Sequence, residues 1–319
     1  MRVFVALPFI LLANGYESVN NVSNKNKGLS TLQSKERTVA AADTLIQKTR
    51  KVTIDGLTFN YVEAGSGPAL ILIHGSISDY REWSKQIETF AQRYHVIAYS
   101  RRYHWPNPGP ASDTDASLDR QVSDLLEFIK ATGIEKASLI GHSFGGAAAL
   151  VFTLKHPELV QSLILAEPAV SGVLSKTPDN DTVLKESQYV RARMKEVFAT
   201  GNAELIVKTY ATHVAPGDYE RATAEERQML LENATAFQLD FTSQRSPFTC
   251  ADAQKINVPV LVLCGDQSPM GLQRIAESTA QCIKGAKFVR IAQATHWLQH
   301  DQPQRFNEQV LAFLGEQRK

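Results

Sequence analysis

The chain has 319 residues, 43% of them apolar and 21% charged, with 34 Lys plus Arg set against 33 Asp plus Glu. This is a globular composition long enough for one large domain or two modest ones. A formal net charge of +1 leaves no basic excess that would point to nucleic acid or to an anionic membrane surface.

At the N-terminus, Arg2 precedes an apolar stretch from Val3 to Ala13 that is broken by Pro8, and Ala13 and Gly15 stand at the spacing a signal peptidase reads. Two readings stay open for residues 1–15: a short secretory signal, which would make the protein secreted or periplasmic, or an unstructured extension of a cytoplasmic one. The stretch is too short to span a bilayer, so no membrane span is expected. Residues 16–50 are rich in Asn, Ser, Lys and Thr and read as a disordered leader.

Order is expected from Lys51. Val52 to Asp55 and Leu57 to Glu63 are β-rich runs around the turn dipeptide Asp55-Gly56, a hairpin signal. Ala69 to Ile73 is continuously apolar, as a strand buried on both faces must be, and Val96–Tyr99, Ala137–Ile140, Leu163–Ala166, Val260–Leu263 and Phe288–Ile291 repeat the pattern. Between them, Leu118, Val122, Leu125, Leu126 and Ile129 form one apolar helical face, as do Phe306, Val310, Phe313 and Leu314 near the C-terminus. Strand–helix alternation of this kind predicts an α/β fold with a mostly parallel sheet flanked by helices. The alternation fails between about Ala169 and Asn257, where helical sequences such as Val190–Phe198 and Ala224–Phe237 predict an inserted helical cap. The expected organisation is therefore a core of residues 51–168 and 258–319 and a cap or lid of residues 169–257, with Phe237, Leu239 and Phe241 the first candidates to face the site.

Chemistry concentrates at Gly141-His142-Ser143-Phe144-Gly145, followed by Gly146. The G-x-S-x-G pattern alone is weak, but here it joins a buried-strand pattern to a helix start. Serine on such a strained strand-to-helix turn is lifted clear of the sheet, with a helix N-terminus behind it that favours negative charge. A serine hydroxyl needs a base; His296, after the last strand pattern and before the terminal helix, is the candidate. The base needs a carboxylate. Asp266, at the carboxyl end of the Val260–Cys264 run, is the expected acid, and Glu167, at the end of Leu163–Ala166, is its rival. Ile73-His74-Gly75-Ser76 ends a strand in a turn, so the backbone N–H groups of Ser76 and Phe144 are the candidate oxyanion donors.

These motifs together, with His74-Gly75, Gly265-Asp266 and His296-Trp297, resemble the α/β-hydrolase superfamily over about residues 51 to 318. Its cap-bearing branch includes esterases, lactonases, carbon–carbon bond hydrolases, cofactor-free haloperoxidases, epoxide hydrolases and haloalkane dehalogenases. The last two classes use an aspartate nucleophile, and this chain carries Ser143 there. The lipase-type HGGG is absent, and Ala294-Thr295 precede the histidine where relatives often carry glycine. The run Arg101 to Pro108, with Tyr103, His104 and Trp105, replaces a short Asp-Arg-Gly-like turn and reads equally as a wall over the pocket or as a surface turn packed on the cap. His74, Gly75, Tyr103, Trp105 and Trp297 are candidates for the substrate pocket.

The resemblance implies a serine hydrolase acting on a small or medium ester, lactone or related acyl bond, with a small-molecule acyl substrate as its partner. The same triad would serve a carbon–carbon hydrolase or a haloperoxidase-like enzyme, and a ligand-sensing receptor of this fold is the non-catalytic alternative. No cofactor is expected, and no metal, because the histidines lack H-x-E or H-x-x-x-H spacing. The three cysteines, Cys250, Cys264 and Cys282, lack C-x-x-C spacing. Buried free thiols are the default expectation, with one disulfide open to an exported protein. Oligomeric state is not legible.

Overall fold

The computed structural model describes residues 47–110, 113–243 and 247–317; the readings for residues 1–46 lie outside them. Eight strands form one sheet: β1 (Lys48–Ile54), β2 (Leu57–Ala64), β3 (Ala69–Ile73), β4 (His95–Tyr99), β5 (Ala137–His142), β6 (Val160–Ala166), β7 (Val260–Gly265) and β8 (Lys287–Ile291). The spatial order is β1-β2-β4-β3-β5-β6-β7-β8. The hairpin β1–β2 and the pair β2–β4 are antiparallel and all later pairs are parallel. Asp55 (φ 48°) and Gly56 (φ 78°) turn the hairpin in the doubly left-handed geometry that matches the strands' twist.

The period-2 alternation of each strand splits its apolar residues between two cores. On one face Ile71, Ile73, Ile97, Leu139, Leu163 and Val262 pack with α2 (Leu118–Ala131), α3 (Ser143–Lys155) and α10 (Met270–Cys282). On the other, Leu70, Leu72, Val96, Ala98, Ile140, Ile164, Leu261 and Leu263 pack with α1 (Ser84–Ala91) and the terminal helix Pro303–Glu316. Helix α2 starts where the Ser117 hydroxyl accepts the Arg120 N–H at 3.3 Å, a side-chain N-cap. Helix α3 is apolar on every side and almost wholly buried, with Ala147, Ala148 and Ala149 letting it lie close to the sheet.

Between β6 and β7 the chain runs through α4 (Asn180–Phe198), α5 (Ala203–Val214), α6 (Asp218–Arg221), α7 (Ala224–Glu232), α8 (Ala234–Thr242) and α9 (Cys250–Ala253). This insertion has a core of its own, in which Val190, Met194, Phe198, Val207, Tyr219, Leu230 and Phe237 are buried together. Where the sequence reads one helical stretch from Ala224 to Phe237, the structure breaks at Asn233. The Asn233 side chain accepts the Trp105 N–H at 2.8 Å and donates to Asp79 Oδ2 at 2.7 Å, so the turn is fastened to the sheet-bearing part of the molecule. Cys250 and Cys282 form a disulfide that ties α9 to the end of α10, and Cys264 is a buried free thiol. The expectation of free thiols thus holds for Cys264 and is corrected for the other two. Among the described residues no helix is long and apolar enough to cross a membrane.

Candidate active site

The site lies at the carboxyl ends of the central parallel strands, where open α/β sheets place their crevices. Ser143 follows β5 and opens α3 with φ at 51°, a left-handed conformation that serine adopts only under constraint. The constraint is close packing. A Cβ at Gly145 would fall 2.3 Å from the His74 carbonyl oxygen, and one at Gly141 would fall 2.6 Å from the Gly145 carbonyl oxygen. Only glycines let β5, α3 and the loop after β3 approach this closely.

His296 is buried in the loop after β8, and its Nδ1 lies 2.6 Å from Glu167 Oε2. The acid beside the histidine is therefore Glu167, not Asp266. Glu167 directly follows β6 and has a left-handed φ of 45°. Its other oxygen accepts the Gly265 N–H at 2.7 Å and the Ser268 hydroxyl at 2.5 Å. Burial pushes this carboxyl up, but the His296, Ser268 and Gly265 donors outweigh it and hold it below the ordinary range. Burial also lowers the His296 imidazole, in spite of Glu167, so the ring is neutral at pH 7.

Asp266 is exposed, and its Oδ1 accepts the Gln293 N–H at 2.7 Å. Gln293 has φ at 61°. Asp266 thus props the strained turn that leads into the histidine loop and does not touch the imidazole. The physical reason is reach: Glu167 is buried with its carboxylate against the imidazole, whereas Asp266 is exposed and turned to the Gln293 backbone.

His142, the second residue of the elbow, packs its ring against that of His296, with centroids 4.6 Å apart. Its Nε2 lies 2.9 Å from the His296 carbonyl oxygen, and its Nδ1 is 3.0 Å from Glu82 Oε1, a close ionic approach without hydrogen-bond alignment. Burial lowers this imidazole, but Glu82 more than compensates and raises it overall. Glu82 Oε2 also accepts the Gly75 N–H at 3.0 Å, so one buried carboxylate connects the elbow with the loop after β3. Glu82 is a residue that sequence reasoning missed; no motif marks it.

Ser143 and Ser76 share a cavity of about 170 Å³. Its apolar wall comes from Ile275 and Leu272 of the sheet-bearing part and from Val183, Val190, Tyr210 and Phe241 of the insertion, with Glu186, Arg191 and His213 also on its lining. The five pocket candidates are not on this lining. His74 is buried beneath the loop after β3, and Gly75 faces the His142 ring. Tyr103 packs with Ala116 and Ala236, Trp105 lies under the Arg81 guanidinium at 3.7 Å, and Trp297 faces a separate cavity of about 140 Å³ lined by Ser78, Lys85 and His300. Of the three insertion candidates, Phe241 reaches the Ser143 cavity, Phe237 is fully buried in the insertion's core and Leu239 packs beside Tyr103. No cluster of metal-ligating side chains occurs among the described residues.

Comparison with known proteins agrees with this fold. The chain is 26% identical over 287 residues to epoxide hydrolase 4 of Mus musculus, covering 84% of this chain and 79% of that protein. It is 27% identical over 279 residues to 2-hydroxy-6-oxo-6-(2'-aminophenyl)hexa-2,4-dienoic acid hydrolase of Metapseudomonas resinovorans, covering 83% and 90%. A thermophilic esterase from Thermogutta terrifontis superposes with a TM-score of 0.69 at 22% identity, over 85% of this chain and all of that one. The family model described as alpha/beta hydrolase fold matches residues 68–303, and with the eight-stranded sheet and the elbow at Ser143 the chain belongs to the α/β-hydrolase family and is an enzyme of that type.

Proposed function

We propose that the protein is a serine hydrolase that cleaves a small or medium carboxylic ester, lactone or related acyl bond through an acyl-enzyme on Ser143, with His296 as base and Glu167 as acid. The observation that carries this reading is the buried Glu167–His296 pair at 2.6 Å together with a serine held at left-handed φ on the wall of a cavity of about 170 Å³. Glu167 accepts the Nδ1–H of His296 and fixes the tautomer in which Nε2 is free to take a proton. Ser143 Oγ adds to the acyl carbonyl as its proton passes to Nε2. The N–H groups of Ser76 and Phe144 receive the oxyanion. The tetrahedral adduct collapses to the acyl-enzyme as His296 returns the proton to the leaving oxygen, and a water deprotonated by the same ring releases the acid.

The relatives named as epoxide hydrolases raise a second reading, and Ser143 argues against it. A serine oxygen that opened an epoxide would form an ether, which water cannot cleave under these conditions, whereas an acyl-enzyme returns the serine on hydrolysis. The insertion acts as the lid of this site, because α4, α5 and α8 supply most of its apolar wall. Carbon–carbon hydrolysis uses the same groups and is separated by substrate panel.

The test is labelling and turnover together. A fluorophosphonate should add to Ser143 alone, and Ser143→Ala should fold normally and hydrolyse p-nitrophenyl acetate at under one hundredth of the wild-type rate. Labelling at another residue, or a Ser143→Ala protein that retains more than a few per cent of activity, refutes the assignment. Binding of a ligand with a single turnover and no steady state would place the protein with the sensing receptors instead.

A further inference from the structure

Behind the loop after β3 lies a second set of buried polar side chains that the chemistry above does not use: Arg101, His104, His74 and Asp240, each wholly buried. The first three come from the sheet-bearing part, and Asp240 comes from α8 of the insertion. We propose that Arg101, held by Asp240, is the positioning residue that aims the oxyanion donors at Ser143, so that seating of the insertion is coupled to oxyanion-hole geometry. This rests on the reading of Ser76 and Phe144 as those donors.

The peptide geometry gives the reason. Arg101 Nε donates to the His74 carbonyl at 3.1 Å and Nη2 donates to the Gly75 carbonyl at 3.0 Å. The Gly75 carbonyl also accepts from His74 Nδ1 at 2.7 Å, and His74 Nε2 accepts the Arg101 backbone N–H at 2.9 Å. In a trans peptide the C=O and the following N–H point in opposite directions. Two donors that hold the Gly75 carbonyl back toward Arg101 therefore turn the Ser76 N–H forward, to the side on which Ser76 and Ser143 share their cavity. The same guanidinium lies over the Phe144 ring at 4.7 Å, so it also backs the residue that carries the other donor.

The charge on Arg101 is what makes Asp240 necessary. An uncompensated guanidinium at zero exposure carries a desolvation cost that only a well-placed anion offsets. Asp240 Oδ2 supplies it at 2.6 Å, and Oδ1 is 3.4 Å from Nη1. The two histidines add no charge: burial first, then Arg101, lowers both imidazoles. His104 Nδ1 donates to the Ser78 carbonyl at 2.7 Å, and its Nε2 lies 3.1 Å from Arg101 Nη2 and 3.2 Å from Asp240 Oδ2, so the ring packs against the ion pair. The guanidinium is thereby fixed on several sides while its carboxylate partner rides on the insertion.

The experiment uses the full chain, with p-nitrophenyl acetate for turnover and 1,1,1-trifluorobutan-2-one as a probe whose carbonyl becomes an oxyanion when Ser143 adds to it. Asp240→Asn and Arg101→Met should each lower kcat and affinity for the ketone by about a hundredfold, the scale of losing one oxyanion donor, while KM changes by less than about threefold. Arg101→Lys keeps the charge against Asp240, but one ammonium cannot serve both carbonyls, so it should fold and lose ketone affinity to a similar extent. The double variant Arg101→Met with Asp240→Leu removes both charges, so it should regain the thermal stability lost in the single variants without regaining ketone affinity. Any folded variant of the series that binds the ketone within twofold of wild type overturns the proposal, as does a series in which none folds, since Arg101 would then serve folding alone. Failure of the wild type to bind the ketone at Ser143 would refute the acyl-enzyme reading rather than the positioning role.

Discussion

Exchanging Glu167 for glutamine separates the two carboxylates that end adjacent strands. In the native site one Glu167 oxygen accepts two donors, from Gly265 at 2.7 Å and Ser268 at 2.5 Å, and the other faces His296 Nδ1 at 2.6 Å. A glutamine oxygen satisfies the first pair, which leaves the amide NH2 against the imidazole. Two donors cannot face each other, so Nδ1 becomes the acceptor and the ring proton moves to Nε2. Held in that tautomer, the histidine cannot deprotonate Ser143. A wrong-tautomer triad loses about 10⁴ in kcat, or about 5.4 kcal/mol of barrier at 1.36 kcal/mol per decade. Asp266→Asn leaves an amide oxygen able to keep the single hydrogen bond from the Gln293 N–H, so its cost should stay within about threefold, under 1 kcal/mol. The assay is steady-state hydrolysis of p-nitrophenyl acetate at pH 8 by both variants, with circular dichroism to verify the fold. A larger loss for Asp266→Asn than for Glu167→Gln would refute the reasoning, however small either loss proved.

The pH profile follows from the same geometry. Burial lowers the His296 pKa beneath the ordinary imidazole value, so the base-competent neutral ring predominates above a point below about 6.5, and kcat/KM should fall only as pH drops through that lower point. Residual activity of Glu167→Gln should titrate lower still, because a partner that raises the pKa is gone; an acid limb above 6.5 in the wild type contradicts this. Enlarging the cavity by Phe241→Ala should favour p-nitrophenyl hexanoate over the acetate by about tenfold in kcat/KM, roughly the effect of one or two methylenes in an apolar pocket. Phe237→Ala, deep in the insertion's core, should instead cost about 3–5 kcal/mol of stability, read by thermal melting, with little change in that ratio. Removing the Cys250–Cys282 bridge, which closes a separation of 32 residues, should lower stability by about 3–4 kcal/mol in denaturant titration; an unchanged midpoint would show that the bridge constrains nothing.

The centre of the sheet was legible because its strands are buried on both faces and so carry apolar runs. β3, β5 and β7 announce themselves in this way, and the stripe of α2 has its serine N-cap. The break between α7 and α8 was not legible. Local propensity favours continuing the helix through Asn233, and what stops it is a side chain engaged with Trp105 and Asp79, residues more than a hundred positions earlier. The same distance hid the roles of Arg101 and His104. As sequence they are a polar run after a strand, and only the arrival of Asp240 from the insertion shows why a charge is buried there.

The elbow could be read from sequence because its constraints are local: glycine is demanded two residues to either side of Ser143 by backbone approaches of 2.3 and 2.6 Å. The acid could not, because its constraint is non-local. Glu167 and Asp266 both follow a buried strand, both lie between the serine and the histidine in the chain, and both satisfy the nucleophile–acid–base order. What separates them is which side chain reaches the imidazole and is desolvated there. β6, which leads into Glu167, stands beside β5, which carries Ser143, and β7 is one place further from the serine. Three donors converge on Glu167 and one on Asp266. A buried carboxylate needs such compensation to remain ionised, and an exposed one does not. The count of donors, rather than the order of residues along the chain, therefore identifies the partner of His296, and it leaves Asp266 the separate task of holding Gln293 in the left-handed turn from which the histidine loop departs.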